Sequence, residues 1–516
     1  MTITLRDQQS RDAASLPLPG KRQAVGRNLL LSSLGMALPV IASLLALPVT
    51  VQGLGAARFG VLSLLLGVFA YISLLDLGLG TAVSYRVAHM IHEAADAARV
   101  RATVRSATIA ALVTGALAAT AFSLSARWLC TVILGSDFAH LAEATDCLRM
   151  LAASLPLVFV AAVFSGVLIA HEAFGPLNRT RVPFGVLIAI APALAAVCGA
   201  DLVVAAELLL AIRVGVAAIQ ARQCARVLPA LWRPAPGGSF RLDLLTLLRF
   251  GGWTTVSSMV GPVMVYMDRF YLAAATSPSQ VAGYVATYEL ASKLLLPPAL
   301  VVQIFFPLLI GARVRDVAES EQLFSRLASG VALLCFLPAA LLAATAPELL
   351  GRWLPAVASS ESTAALQILC GGALINCVSQ VFVLQVQSLG RTKAIAVAHL
   401  AQLPVYLLLL WWSAVHFGLV GVALAWSLRT AADAILFCGM AASTVGAQAR
   451  TRLWRTLVVT LALSLILAGL TQVGSVASRA LTLAVPLVFL LIWGKRLLPW
   501  PKDAGLASLV RRGTSA

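Results

Sequence analysis

Charge is scarce in this chain. Of 516 residues only 11% are Asp, Glu, Lys or Arg and 60% are hydrophobic, with a mean hydropathy of +0.92, whereas soluble domains carry about a quarter charged residues. Such a composition cannot clothe a water-exposed globule. Acids are the scarcer sign, 21 against 38 Lys plus Arg. The net charge of +17 would suit nucleic acid if the basic residues shared a separable domain, but they lie in short clusters between apolar runs. That excludes a nucleic-acid partner and makes the clusters a topology signal. The eight cysteines include no CxxC and no Cys/His cluster, so neither a metal, another cofactor nor a disulfide framework is expected. No GxxxxGK[ST] occurs: Gly20-Lys21 and Gly494-Lys495 lack the upstream glycine and a following Ser or Thr, which excludes an ATP-driven exporter. A sizeable outward loop with paired carboxylates is missing too. The largest, about 126–148, holds Asp137, Glu143 and Asp146 without that spacing and reads as a solvated loop. No enzyme is expected.

What the chain does have is apolar runs of about 20 residues, the length a helix needs to cross hydrocarbon. They fall at 29–51, 60–84, 106–125, 149–170, 182–200, 202–221, 250–273, 282–310, 327–347, 363–387, 395–416, 419–442, 456–473 and 479–497. The expected fold is therefore an all-α polytopic membrane protein of about fourteen helices. Placing both termini and every second loop in the cytoplasm gathers Arg99/Arg101/Arg105, Arg222/Arg226/Arg233/Arg241/Arg249, Arg313/Arg315, Arg391/Lys393, Arg450/Arg452/Arg455 and Lys495/Arg496 inside. Only Arg58, Arg127, Arg149, Arg352 and Arg479 fall outside, the asymmetry of the positive-inside rule.

The chain also echoes itself. GAARFG (55–60) and SPSQVAG (277–283) align Gly60 with Gly283, and GPLNRTRV (175–182) resembles LGRTKAIAV (389–397) at a similar offset. Two echoes at one offset imply two six-helix halves, and an even count makes them a parallel repeat about an axis along the membrane normal. The expected organisation is a disordered cytoplasmic tail (1–25), an N-terminal lobe (26–222), a cytoplasmic linker (223–248) and a C-terminal lobe (249–445). The linker ends in the amphipathic RLDLLTLLRF. Two additional helices (446–497) and a second cytoplasmic tail (498–516) complete it.

Nine ionisable residues remain at membrane depth: Asp76, Glu207, Arg213, Asp268, Arg269, Glu289, Lys293, Arg429 and Asp433. Each costs about 2.5–3.5 kcal/mol there unless it meets a partner or a wet cavity. Glu289 and Lys293 can pair one helical turn apart, and Arg429 and Asp433 can do so in the less favourable order. Asp268 and Arg269 are adjacent, point apart and need partners on other helices. Arg213, Lys293 and Arg429 each fall 10 to 12 residues from a span end, near the midplane. Cations at one depth point to an anionic substrate, so Arg213, Arg269, Lys293 and Arg429 are the candidate binding residues. Asp76, Glu207, Asp268, Glu289 and Asp433 are candidates for gating or ion coupling, although the i,i+4 pairs could equally be braces between helices.

The stretches ARFGVLSLLLGVFAYISLLDLGLGTAVSYRVA (57–88) and MDRFYLAAATSPSQVAGYVATYELASKLLLP (267–297) resemble the polysaccharide flippases of the multidrug/oligosaccharidyl-lipid/polysaccharide exporter superfamily. The likeness covers roughly 26–445 and is most specific at the Phe-Gly turn, the Asp-x-Gly of span two and the Asp-Arg of span seven. It implies a V-shaped two-lobed bundle in a bacterial inner membrane, moving a lipid-linked, undecaprenyl-pyrophosphate-type oligosaccharide from the cytoplasmic to the outer leaflet. The implied partners are that substrate and membrane lipid, with a polysaccharide polymerase or chain-length regulator as a further candidate and a monomer as the expected state. Residues 29–51 hold no ionisable side chain, a departure from the arginine-rich first span of the lipid II branch and from the acidic first span of many drug antiporters. A cation-coupled multidrug antiporter of the same superfamily is the alternative, resting on Asp76, Glu207, Glu289 and Asp433. A major facilitator transporter ranks below both, because 85–103 lacks that family's Gly-rich Asp-Arg signature.

Overall fold

The computed structural model describes residues 38–73, 78–92, 96–229, 231, 263–301, 305, 309, 313, 316–472, 481 and 484. Among them there are helices and no strand, the outcome lipid demands of a chain whose backbone must satisfy itself. In order these are α1 (Leu38–Leu54), α2 (Ala56–Ser73), α3 (Leu79–His92), α4 (Ala97–Leu134), α5 (Leu141–Ala153), α6 (Leu155–Ala170), α7 (Phe174–Val197) and α8 (Leu202–Val227). There follow α9 (263–275), α10 (Pro278–Ser292), α11 (296–301), α12 (Val317–Ala344), α13 (Ala346–Trp353), α14 (Ser360–Ser388), α15 (Thr392–Ala442) and α16 (Ala447–Gln472). The expected spans one to thirteen each coincide with one or more of these. Span fourteen apart from 481 and 484, both tails, the amphipathic 241–250 segment and Asp76 lie outside the described residues.

Short polar caps start these helices. Asp96, Asp201 and Asp316 accept hydrogen bonds from Ala98 N (3.0 Å), Val203 N (3.1 Å) and Ala318 N (2.8 Å), and Ser359 from Ser362 N (3.0 Å). Each satisfies an amide left over at a helix start. Glycines at positive φ end them. After α14, Gly390 (φ 70°) lets Arg391 N reach back to Val386 O (3.2 Å), a Schellman closure.

Two separate apolar cores follow. One is built from α2 to α8, with Phe159, Leu148 and Val163 fully buried. The other is built from α9 to α16, with Tyr284, Phe324 and Phe382 at its centre, and it also takes Leu47, Val51, Phe59 and Leu64 of α1 and α2. Helix α2 therefore has no polar face: Phe59 and Leu64 enter one core, Val61, Leu65 and Phe69 the other. It packs along α10. At Gly60 the approach leaves no room for a side chain, since a Cβ would overlap the Pro278 carbonyl. A small residue at a close helix crossing is what a bilayer protein uses there.

Three expectations need correction. Helix α4 runs for 38 residues, about 57 Å, far beyond 106–125, so the 126–148 segment is not one loop. Only 135–140 connects it to α5. Glu143 is consequently not solvated. Its carboxylate pairs with Arg58 (3.0 Å) and accepts from Leu202 N (2.9 Å), tying the starts of α2 and α8 together. The 282–310 span is not one continuous helix either: α10 stops at Ser292 and a 3₁₀ turn occupies Lys293–Leu295. Pro297 and Pro298 cause this, because neither can donate to the carbonyl four residues back. The carbonyls so released find other partners, Leu296 N for Lys293 O and Cys377 Sγ for Leu294 O (3.2 Å).

The pair of spans at 395–416 and 419–442 is a hairpin. Gly418 (φ 53°, ψ −134°) breaks α15, and the halves run antiparallel. Gly421 abuts Ser413, Arg429 lies over Tyr406 (5.4 Å) and His399 lies against Phe437 (5.3 Å).

Candidate functional site

The charged residues of α9 and α10 converge. Asp268 is fully buried. It accepts a hydrogen bond from Tyr284 Oη (2.6 Å) and one from the Arg269 backbone amide (2.7 Å). Arg269 points the other way, its Nη2 3.8 Å from Glu289 Oε1 and its guanidinium above the Tyr266 and Tyr288 rings (5.2 and 5.6 Å). Glu289 Oε2 accepts from Lys293 Nζ at 2.7 Å. One carboxylate therefore serves two cations, and it sits at the edge of the cluster: the Glu289 and Lys293 side chains are 34% and 21% exposed, Arg269 only 8%.

Helix geometry explains the arrangement. Asp268 and Arg269, neighbours on α9, point apart, and both find partners on α10, one to three turns into it. Lys293 falls where α10 tightens into its 3₁₀ turn, so the residue that pairs with Glu289 also stands at the helix break.

An aromatic bridge joins this cluster to the α15 hairpin. Tyr288 stacks with Tyr284 (6.1 Å) and meets the Trp426 edge (5.7 Å). Arg429 lies within 6.0 Å of the Trp426 ring centre and donates from Nη1 to Asp433 Oδ2 at 2.8 Å. On the other side Tyr71 of α2 touches Tyr266 (5.8 Å) and Phe270 (6.1 Å) of α9, so residues of both chain halves rim the site.

The candidate residues thus divide. Asp268, Arg269, Glu289, Lys293, Arg429 and Asp433 form one connected constellation. Arg213 is not brought to it. Its guanidinium lies 4.0 Å from the centre of the Phe69 ring, on the face of α2 that enters the N-terminal core, and its Nε has no hydrogen-bond partner among the described residues. Glu207 is exposed on α8. The constellation is also less cationic than the midplane count suggests, since Arg269, Lys293 and Arg429 face Asp268, Glu289 and Asp433. Sequence spacing missed Tyr71, Tyr266, Tyr284, Tyr288, Tyr406 and Trp426. Their signal was present in part, Tyr266, Tyr284 and Tyr288 lying within five residues of Asp268-Arg269 or Glu289.

A second feature adjoins Arg429. Between the halves of α15 lies an apolar cavity of about 820 Å³, with Arg391 and Lys393 at one end and Tyr406 and Arg429 at the other. Buried polar atoms without a hydrogen-bond partner among the described residues gather beside it: His399 Nε2, the Gln402 amide, Tyr406 Oη, Arg429 Nε and Asp433 Oδ1.

A two-core helical bundle with an ion network where the halves meet defines a polytopic membrane transporter, and solved structures share this fold. The chain matches the inward closed form of the lipid II flippase MurJ with a TM-score of 0.69, covering 91% of this chain and 99% of that one at 12% identity. It matches an inward-facing multidrug resistance MATE family transporter of the MOP superfamily with a TM-score of 0.65, covering 83% and 98% at 17% identity. The family model for polysaccharide biosynthesis proteins matches residues 25–310, more than half of the chain, and the chain belongs to that family. A Shigella flexneri protein described as a "Putative O-antigen transporter" is 28% identical over 414 residues, 78% of this chain and 94% of the relative.

Proposed function

We propose that this protein is a flippase that moves a lipid-linked oligosaccharide, of the undecaprenyl-pyrophosphate type, from the cytoplasmic to the outer leaflet of a bacterial inner membrane. The observation that carries the reading is Glu289 shared between Arg269 and Lys293 at the partly exposed edge of the network. An entering phosphate can take over one of these cations, Arg269 by forked hydrogen bonds or Lys293 as a point charge, without leaving either unpaired in low dielectric. Family membership and the O-antigen relative support the substrate class.

In this reading the lobes are 26–222 and 249–445, the cytoplasm holds both termini and the 391–393 end of α15, and Gly60 against Pro278 closes the outer side. Substrate loads from inside, and the halves then rock about α2 and α10. Monomeric operation, and service to a separate polymerase or chain-length regulator, belong to the same proposal.

The test is deletion of the gene followed by analysis of surface glycan and lipid-linked intermediates. Loss of a surface or secreted polysaccharide with accumulation of its lipid-linked precursor is expected. Unchanged glycan in a strain with no redundant exporter, together with drug resistance on overexpression, would establish the cation-coupled antiporter instead, with the partly exposed Glu289 carboxylate as its coupling group.

A further inference from the structure

The cavity within the α15 hairpin extends away from the ion network just described and meets it at Arg429. Its walls come from a single hairpin, with Ala394 and Ala401 on one strand of it and Ala432 on the other. These small side chains leave a trough, and larger neighbours with exposed side chains flank it: Val397, Val405 and Leu428 are 55%, 67% and 56% exposed. Along the second half of α15 the lining runs from Leu428 to Met440, about 18 Å at 1.5 Å per residue. That is close to the ~15 Å of hydrocarbon in one leaflet.

Its charge is one-sided. Three cations line it, Arg391, Lys393 and Arg429, and no carboxylate does; Arg429 is paired with Asp433, which leaves the excess positive charge at Arg391 and Lys393. Arg391 and Lys393 are exposed and lie at the helix start, where a membrane surface would be, and Gly390's turn is what places Arg391 there. An apolar trough one leaflet long with two cations at its interfacial mouth is complementary to an amphiphile that carries a phosphate and a single chain.

We infer that the α15 hairpin binds the carrier lipid of the transported substrate, a polyprenyl phosphate or pyrophosphate, with its phosphate on Arg391 and Lys393 and its chain lying between the two helices. This rests on the flippase reading above and adds to it the place where the carrier is held. A zwitterionic headgroup brings its own cation and leaves net positive charge at Arg391 and Lys393, which a phosphate or pyrophosphate without one offsets. The inner end of the trough meets Tyr406 and Arg429, the latter bonded to Asp433, so the trough ends at the edge of the ion network.

The experiment uses the purified full-length protein in phosphatidylcholine nanodiscs with a diazirine-bearing polyprenyl monophosphate. Labelling is expected in peptides spanning 394–405 and 428–440, with competition by unlabelled polyprenyl phosphate and none by polyprenol or inorganic phosphate. Ala401→Trp with Ala432→Trp, both at exposed positions, should fill the trough and lower labelling at least tenfold. The surface pair Arg391→Glu/Lys393→Glu should do the same without touching the apolar walls, which keeps the test decisive if the Trp variant folds poorly. Labelling elsewhere in the chain, or labelling unchanged in the charge-reversed variant, overturns the site. Equal competition by phosphatidylglycerol overturns the occupant and makes the trough a general anionic-lipid site. Failure of the flippase reading is seen separately, in unchanged glycan on deletion whatever the trough binds.

Discussion

The carboxylate of Glu289 lies between two cations, 2.7 Å from Lys293 Nζ and 3.8 Å from Arg269 Nη2. Of the two, Lys293 is the more exposed and stands at the break between α10 and α11, so it is the cation best placed to exchange Glu289 for a substrate phosphate. Lys293→Ala should abolish polysaccharide export while the protein still inserts at normal levels, and Lys293→Arg should keep part of the activity because the charge survives. Glu289→Gln should be milder than Lys293→Ala. If the pair were only a brace, either loss would strand the other charge and both would lower protein abundance about equally. Export per unit of folded protein, measured across the three variants, separates the two, and full export by Lys293→Ala would remove it from the site.

Arg429 and Asp433 are both buried and bonded at 2.8 Å. Asp433→Ala leaves a guanidinium uncompensated and should cost about 3–5 kcal/mol, visible as loss of the monodisperse peak and a lower melting temperature in detergent. The double replacement Arg429→Met/Asp433→Leu should restore most of that stability and still fail to export. A stable Asp433→Ala protein would show that Arg429 has another acidic partner.

Gly60 permits the approach of α2 to α10, and Ala282, whose backbone N lies 3.3 Å from where a Gly60 Cβ would stand, is fully buried. In a cysteine-free background, Ala282→Cys should resist maleimide. Adding Gly60→Leu should make it react and should reduce export, because the helices can no longer close. Unchanged reactivity would mean that this crossing is not a moving contact.

Orientation is checked by cysteines at Ser277 and Ser359, both exposed. These should label from outside intact cells with an impermeant thiol reagent, whereas a cysteine at Ser239 should not. Labelling at Ser239 would invert the topology and with it the inward-loading direction.

Much of this architecture is readable from residue order, for physical reasons. A bilayer converts apolar run length directly into helices, whereas the Arg clusters at 99–105, 222–226 and 450–455 fall in the end turns of helices rather than in loops. Even the two-residue gap before Leu419 identifies a hairpin. Intrahelical ion pairs are equally legible, since Glu289/Lys293 and Arg429/Asp433 need only i,i+4 geometry. Contacts between helices are not. Asp268 with Tyr284, Arg269 with Glu289 and Glu143 with Leu202 depend on which faces meet, and spacing says nothing of that. Arg213 shows the cost: counting depth placed it with Lys293 and Arg429, but from α8 it meets Phe69 on the face of α2 that enters the N-terminal core. The break at Lys293 was announced by Pro297 and Pro298, outweighed by the continuity of the apolar run.

The near balance of the ion network bears on membrane voltage. Arg269, Lys293 and Arg429 against Asp268, Glu289 and Asp433 sum to no net charge when all are ionised, so turning these six side chains from one face to the other transfers no net charge of theirs across the field. A bound pyrophosphate adds its own negative charge, and each elementary charge crossing a 100 mV potential is worth about 2.3 kcal/mol. With the cell interior negative, an anion moving outward travels downhill. For this set of groups, then, the loaded stroke responds to the potential and the empty return does not, a rectification that needs no coupling ion.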